Sequence, residues 1–483
     1  MGISDGLIEF ALATTYADVA PPMRERARSA LLDTLGTMIA GRHDPDVLRA
    51  SSLVADWSTK ADARLVTTGR KTALPFAAQI NAIAARALDL DDVHEDNTCH
   101  VSASLVPSAL AIAEARAPVS GKALLTALAV GMEIVCRLSA APRISYGQTG
   151  SSRTYQCPYY ATALMAAKLF GLSRDEARHA LGIAHARAGG NQHGLVAGAS
   201  TVKIMQGIAA EGGIIAALMA GAGLSGAPDT FEGKFGYFEF FHRGQYEPSA
   251  LEDALGEIWQ ALDASIKPLY PCCRFTHGFA EALSDCLGRN TVGSAEIAGI
   301  RATVDNEDIH ALITLPHDRK RRPRASADAQ YSLPFILASV AVSRKLDQDT
   351  IDAANFDAPE ILSMIDRVEV ILEPRMPTPG KPRFPMPGKV EILTTDGRRI
   401  EGCVEYPKGH PRNPLTMDEV TAKFRACAEP QIGRESCDRI VAFVGALEHQ
   451  NDVSELMELS CPISASEVEF RTGSAVFRGT TPA

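Results

Sequence analysis

A short acidic stretch between two apolar segments carries the side chains best suited to chemistry. Residues 88–107 contain five carboxylates and two histidines: Asp89, Asp91, Asp92, Glu95, Asp96, His94 and His100. The flanking segments, 77–88 and 105–115, are alanine-rich and predict buried helices. Charge is costly within such a helical body unless it is paired or put to use. We therefore expect a helix–break–helix unit that projects carboxylates and imidazoles into a cleft.

Three interpretations of this stretch are open from the residues alone. Carboxylates and histidines together are ligands for zinc, manganese or iron, although no HExxH spacing is present. A polar loop without catalytic function is the second interpretation, with Ser102 or Ser104 capping the following helix. The third is acid–base chemistry, with His94 or His100 tuned by neighbouring carboxylates. The rest of the chain favours the third.

Further polar residues stand in apolar surroundings elsewhere in the chain. Lys203 lies in neutral sequence near a predicted helix start, where it either extends to solvent or binds a substrate carboxylate. Lys267, Arg274 and His277 follow a change in composition near residue 266, and such domain junctions often form ligand clefts. A histidine at a helix N-terminus has a lowered pKa, which favours the neutral base. Gln330 precedes another apolar helix and suits either a cap or an anion.

Composition limits the classes of partner. The chain has 483 residues, is 46% hydrophobic and has a formal net charge of -10 with interspersed signs, so we expect no nucleic-acid partner. Ten scattered cysteines without a CxxC pair, and an N-terminus without a secretory signal, predict a reduced, cytoplasmic protein. Apolar runs such as 214–224 are too short to span a bilayer, so we expect no membrane partner. We find no phosphate loop or dinucleotide fingerprint, hence no cofactor is predicted.

The periodicity of the chain divides it into three parts. Helical spacing dominates up to residue 265. Alternating apolar residues at 297–304 and 368–372, and two alternating runs joined at Asp396-Gly397, predict strands and a hairpin. Helical patterning resumes after Thr416, a plausible N-cap. We predict a helical region at 1–265, an α+β domain at 266–404 and a second helical segment at 405–483.

The chain resembles the MmgE/PrpD family, whose members include 2-methylcitrate dehydratase, cis-aconitate decarboxylase and iminodisuccinate epimerase. No single short motif is specific for this family, but the order and spacing of the motifs along nearly the whole chain are specific for it. The motifs are Leu32-Asp-Thr-Leu-Gly36, Ala87-Leu-Asp-Leu-Asp-Asp92, His100-Val-Ser-Ala103, Lys203, Phe231-Glu-Gly-Lys-Phe-Gly236, Lys267-Pro-Leu-Tyr-Pro-Cys272 with His277, and Ala329-Gln-Tyr-Ser332.

The resemblance implies an architecture and a set of site residues. The N-terminal half and the C-terminal segment would form one all-helical domain, with the α+β insert as a lid over it. The protein would be a homodimer without metal or organic cofactor. The family positions that line the pocket fall on Asp89, His100, Lys203 and His277, which we take as catalytic candidates. Our candidates for substrate binding are Asp92, Thr98, Arg274 and Gln330.

The predicted function is therefore a cofactor-free hydro-lyase that removes a proton α to a carboxylate of a small di- or tricarboxylic acid. Lys203 and Arg274 would hold carboxylates, one of His100 and His277 would abstract the proton, and Asp89 would orient a histidine. Decarboxylation and epimerisation need the same carbanion stabilisation and remain alternatives. A non-catalytic carboxylate-binding protein on the same fold is the alternative of another class.

Overall fold

The structure, a computed structural model, describes residues 2–374 and 387–462. It is 59% helical with only small sheets. This confirms the predicted fold class, a mainly-α protein with a separate α+β region.

The N-terminal region is built from helices that pack around alanine-rich and glycine-rich surfaces. They are α1 (Ile3–Ala13), α2 (Pro21–Gly41), α3 (Pro45–Trp57), α4 (Leu74–Arg86), α5 (Ser102–Ala115), α6 (Gly121–Ala140), α7 (Tyr146–Thr149), α8 (Arg153–Phe170), α9 (Arg174–Arg187), α10 (His193–Val196), α11 (Thr201–Gly221), α12 (Tyr237–His242) and α13 (Ser249–Glu252). Two short antiparallel pairs accompany them: β1 (Ala63–Arg64) with β2 (Lys71–Thr72), and β3 (Val93–His94) with β4 (Ala264–Ser265).

The α+β region follows, and its described residues form a four-stranded sheet. Its helices are α14 (Arg274–Arg289), α15 (Glu307–Thr314), α16 (His317–Arg321), α17 (Ser326–Gln330), α18 (Leu333–Ser343) and α19 (Pro359–Ile365). Its strands are β5 (Ile297–Val304), β6 (Val368–Leu372), β7 (Gly388–Thr394) and β8 (Arg399–Val404). The strand order is β6-β5-β7-β8, with β5 and β6 parallel and the other pairs antiparallel. The predicted hairpin at Asp396-Gly397 is confirmed between β7 and β8.

The chain returns to the helical region through α20 (Met417–Gly445) and α21 (Glu455–Leu459). Thr416 caps α20 as predicted. α20 packs along α2 at Gly36, where a Cβ atom would lie 3.2 Å from the Cα of Phe424, so a larger residue would push the helices apart. Both chain segments therefore share one hydrophobic core.

A second hydrophobic core lies mostly in the α+β region, between the sheet and helices α14 and α18, and extends to Leu195 and Val202 of the helical region. Separate cores are what distinct domains require. We retain residues 265/266 and 404/405 as proposed boundaries; residues 463–483 of the last segment lie outside the described part of the chain.

Among residues 2–374 and 387–462, two helices are long and apolar enough to cross a membrane by length and composition, α6 and α11. In the most apolar stretch of α6, 89% is buried inside the protein, and in that of α11, 56%. Buried core helices satisfy the same criteria, so these two helices are weak evidence for a membrane span.

Candidate active site

The acidic stretch lies between α4 and α5, as predicted, and it is almost wholly buried. α4 ends at Arg86 and α5 begins at Ser102. Between them, Val93 and His94 pair with Ser265 and Ala264. This pairing ties the acidic stretch to the chain just before Lys267, so groups about 170 residues apart in sequence meet at one place.

Asp92 faces away from the other acidic residues and organises the start of α5. Its carboxylate accepts hydrogen bonds from the backbone N–H of Ser102 at 2.8 Å and from the Ser102 hydroxyl at 2.7 Å. It also lies 2.6 Å from Nη2 of Arg26. Neither Ser102 nor Ser104 caps this helix, because Asp92 supplies the acceptor and Ser102 is already helical. Asp92 thus holds the helix in the structure, and its predicted contact with substrate stays a prediction.

Two cations and two carboxylates form a compact buried cluster next to it. Asp89 Oδ1 lies 2.8 Å from Nη1 of Arg86 and 2.8 Å from Nζ of Lys267. Lys267 Nζ also donates to the backbone carbonyl of Asp89 at 2.7 Å. Asp91 Oδ1 lies 3.4 Å from the same Arg86 nitrogen. Because these groups are buried, removal of any one charge would leave another uncompensated.

The cations keep both carboxylates ionised. Burial alone would raise the pKa of Asp89, but the charges of Arg86 and Lys267 outweigh burial and hold this pKa below its ordinary value. Burial would likewise raise the pKa of Asp91, but His100 and Arg86 hold it well below the ordinary value. Two fixed negative charges therefore face the imidazole that follows them in sequence.

His100 is positioned by these carboxylates. Its Nδ1 lies 2.8 Å from Oδ2 of Asp91, and its Nε2 lies 3.8 Å from Oδ1 of Asp89. Burial lowers the pKa of His100, the charge of Arg86 lowers it further, and Asp91 opposes the shift. The imidazole is accordingly neutral near pH 7, and the contact of Nδ1 with Asp91 leaves Nε2 available as a base.

A cavity of about 450 Å³ opens beside His100, between the helical region and the α+β region. Asp89, Thr98, His100 and Arg274, all predicted site residues, line it. Further polar lining comes from Arg86, Ser152, Thr154, Tyr155, Gln192, Asp308 and Tyr331. A cleft between two domains that holds convergent polar groups is a typical ligand site.

Two tyrosines in this cavity are suited to donate hydrogen bonds. Tyr331 accepts a hydrogen bond from Nη2 of Arg86. Burial raises the pKa of Tyr331 well above its ordinary value and that of Tyr155 to about 12. Both hydroxyls consequently keep their protons at neutral pH and can donate to an anionic ligand.

Two lining residues adopt backbone conformations that are unfavourable for their type. Asp89 has a φ of 53° and Thr98 a φ of 56°, in the left-handed region. Such conformations persist only where the surrounding structure fixes them, and they are concentrated at functional sites.

His277 lies behind the cavity wall and does not line the cavity. Its Nε2 lies 3.1 Å from the carbonyl oxygen of Cys272, and its Nδ1 lies 3.1 Å from Nη1 of Arg274. Burial, with Arg274 and Lys267, holds the pKa of His277 well below 6.5. Both ring nitrogens are thus engaged inside the protein, and the geometry makes His100 the better candidate for the base.

Lys203 and Gln330 line a second cavity of about 290 Å³ that adjoins the first at Arg86. Lys203 Nζ lies 2.6 Å from Oδ2 of Asp44 and 3.1 Å from Oδ2 of Asp46. Gln330 donates from Nε2 to the carbonyl of Ala87 at 3.3 Å. The structure therefore separates these two predicted site residues from His100 by the side chain of Arg86.

Lys203→Ala tests the role that the resemblance implies for this lysine. An ammonium group that stabilises charge on a substrate carboxylate is worth about 10²-fold in kcat/KM, so the role that the resemblance implies predicts a loss of that size. The measurement is steady-state kinetics on a verified substrate, together with thermal unfolding. Near-native kcat/KM with lowered stability would instead make Lys203 a partner of Asp44 and Asp46 alone.

Three possible metal ligands lie close together, as the metal interpretation requires. Asp89, Asp91 and His100 offer ligand atoms within 4.8 Å of one another. Both carboxylates already contact Arg86, however, and Asp89 also contacts Lys267. A divalent ion would lie beside these two fixed positive charges, which oppose its binding. The geometry favours acid–base chemistry, and the predicted lack of a metal stays a prediction.

Sequence reasoning did not single out Arg86 or Tyr155, and it named Asp91 among the acidic residues and Tyr331 in the motif 329–332 without giving either a catalytic role. Arg86 is the sole charged residue of α4 and is buried. A lone charge in an otherwise uncharged helix drew attention to Lys203, and the same signal was present at Arg86. Tyr155 carried no such signal, because aromatic residues in buried helices are ordinary.

Comparison with known proteins adds an independent finding. Residues 5–249 match the MmgE/PrpD N-terminal domain and residues 270–449 match the MmgE/PrpD C-terminal domain. A cis-aconitate decarboxylase-like protein of Aspergillus oryzae is 29% identical over 467 residues, covering 92% of this chain and 94% of the relative. Cis-aconitate decarboxylase of Aspergillus terreus is 26% identical (96% and 97% covered), and that of Homo sapiens is 25% identical (92% and 91% covered).

Proposed function

The chain belongs to the MmgE/PrpD family, and we propose that it is a cofactor-free lyase acting at the carbon α to a carboxylate of a small carboxylic acid. The observation that carries this proposal is the contact of His100 with Asp91 at 2.8 Å, at the wall of a cavity that also presents Arg86. A neutral imidazole oriented by a carboxylate is a general base, and a nearby guanidinium stabilises negative charge.

The proposed proton transfer uses the residues of the cavity wall. Nε2 of His100 takes the proton, the C–H bond breaks, and its electron pair delocalises into the adjacent carboxylate. Arg86, Tyr331 and Tyr155 stabilise the charge that develops on the carboxylate oxygens. In a dehydration, the electron pair then forms a C=C bond and expels hydroxide from the neighbouring carbon, and the hydroxide takes the proton from the His100 imidazolium and leaves as water.

Decarboxylation uses the same stabilisation in a different order. The bond to a carboxylate carbon breaks, carbon dioxide leaves, and the remaining electron pair is stabilised by conjugation with a second carboxylate until the protonated form of His100 gives its proton to carbon. The names of the relatives, cis-aconitate decarboxylases, favour this reaction over the dehydration that the sequence motifs suggested. Decarboxylation is therefore the first reaction to test, and hydro-lyase and epimerase activities are the alternatives.

Product analysis on a panel of acids tests the proposal. The panel consists of cis-aconitate, 2-methylcitrate, citrate and an amino-dicarboxylate, each incubated with the purified protein. Release of carbon dioxide identifies a decarboxylase, a new alkene without carbon dioxide identifies a hydro-lyase, and loss of optical rotation alone identifies an epimerase. Thermal stabilisation by an acid without any product would overturn the proposal in favour of a carboxylate-binding protein.

For a reaction that begins with proton abstraction, the pH dependence of kcat/KM should have an acid limb below pH 6.5. His100 must be neutral to accept a proton, and burial with the charge of Arg86 places its pKa below 6.5. The value of kcat/KM should be constant above this pKa and fall about tenfold per pH unit below it. In Asp91→Asn, loss of the carboxylate that raises the pKa should move this limb to lower pH. A limb that stays in place in Asp91→Asn would contradict the assignment of His100.

The homodimer implied by the family resemblance and the cytoplasmic location belong to this proposal as well. Sedimentation of the purified full chain tests the first, and fractionation of cells that express it tests the second. A monomer with full activity would remove the dimer from the proposal without affecting the chemistry.

A further inference from the structure

One wall of the main cavity is apolar. Its side chains are those of Leu195, Val196, Phe275, Ile309, Leu312 and Leu315, contributed by α10, α14, α15 and the residue after α15. Val196 and Leu315 are 53% and 49% exposed, although each is a large apolar side chain. When a ligand covers apolar side chains at a cavity, their surface is removed from water, and this burial stabilises the complex.

The charged residues that line the same cavity carry equal numbers of positive and negative charges. Among the described residues they are Arg86, Arg274, Asp89 and Asp308, with His100 neutral. The arginines are also paired within the protein: Arg86 contacts Asp89, and Arg274 Nη2 lies 2.8 Å from Oε1 of Glu95. The part of a ligand that lies against the apolar wall should therefore be uncharged, because no free cation of the described lining faces it there.

We infer that the substrate is a carboxylic acid that carries an alkyl substituent of several carbons. This inference rests on the proposed function for the reacting end of the molecule. The carboxylate nearest the reacting carbon lies with Arg86 and Tyr331, next to His100. The alkyl substituent lies along Leu312 and the other apolar wall residues, where it removes their surface from water.

Affinity for a homologous series of 2-alkylsuccinates, from methyl to hexyl with succinate as reference, tests the inference without requiring turnover. Burial of each methylene should tighten Kd by about fourfold, measured by isothermal titration calorimetry on the full chain. A Kd that does not change with chain length, or that weakens, would overturn the inference.

The variant Leu312→Gln tests whether the apolar wall causes the dependence of Kd on chain length. This variant should bind hexylsuccinate about fivefold more weakly and succinate unchanged, because only the alkyl part meets residue 312. Leu315→Gln, at a half-exposed position, is the second variant if Leu312→Gln does not fold. Leu393→Gln, on β7 away from the cavity, is the matched control and should keep the wild-type dependence on chain length. An equal loss of affinity for all ligands in both wall variants would overturn the inference.

The two proposals fail in different ways. If affinity rises with chain length but no acid of the series or of the panel is converted, the substituent pocket stands and the lyase proposal fails. If cis-aconitate is converted and the series shows no dependence on chain length, the lyase proposal stands and the substituent pocket fails.

Discussion

His100→Asn is expected to lower kcat/KM by about 10²- to 10⁴-fold, the range for loss of a general acid–base group. Asparagine keeps a polar side chain of similar reach but has no nitrogen that accepts a proton. The contact of Nδ1 with Asp91 at 2.8 Å also disappears, so the carboxylate loses the group that it positions. The expected change is mainly in kcat, because proton transfer occurs after binding.

The control for this variant is His449→Asn, which changes an exposed histidine of the helical region. It should leave kcat/KM within about twofold of the wild type, since no catalytic contact is altered. If His100→Asn keeps wild-type kcat/KM on a verified substrate, His100 is not the base, and His277 would have to be examined despite its two internal contacts.

Lys267→Met is expected to lower the free energy of unfolding by about 3–5 kcal/mol, the range for removal of one partner of a buried ion pair. Lys267 is fully buried, and its ammonium group lies 2.8 Å from Asp89 Oδ1. Methionine fills a similar volume but leaves the Asp89 carboxylate with Arg86 as its remaining close cation. Denaturant unfolding of wild type and variant gives the difference.

A double mutant and a more exposed control test whether the lost stability comes from the buried charges. Asp89→Asn combined with Lys267→Met should recover part of the lost stability, because both buried charges are then removed together. Lys408→Met breaks the partly exposed pair with Glu419 and should cost far less. If Lys267→Met and Lys408→Met lowered stability equally, the buried cluster would not have the energetic role assigned to it.

Local patterns made much of the fold predictable. The hairpin at Asp396-Gly397 follows from alternation and turn chemistry within about fifteen residues. The cap at Thr416 depends only on the first turn of α20. The acidic stretch was recognisable because buried helices on both sides make unpaired charge there costly.

The partners of the charged groups were harder to predict, because they depend on tertiary packing. Asp91 and Asp92 are neighbours in sequence, yet one meets His100 and the other meets Arg26 and the start of α5. Lys203 and Lys267 are similar lysines near apolar segments, but Lys267 meets Asp89 whereas Lys203 meets Asp44. No periodicity in the sequence distinguishes these alternatives.

Hydrogen exchange at carbon measures the central chemical step directly. The purified protein is incubated in heavy water with each acid of the panel, and proton NMR follows the signal α to the carboxylate. We predict that the wild-type protein introduces deuterium at this carbon in at least one acid and that His100→Asn does so at least about 10²-fold more slowly. Binding of these acids without deuterium entering any of them, or exchange in His100→Asn at the wild-type rate, would contradict it.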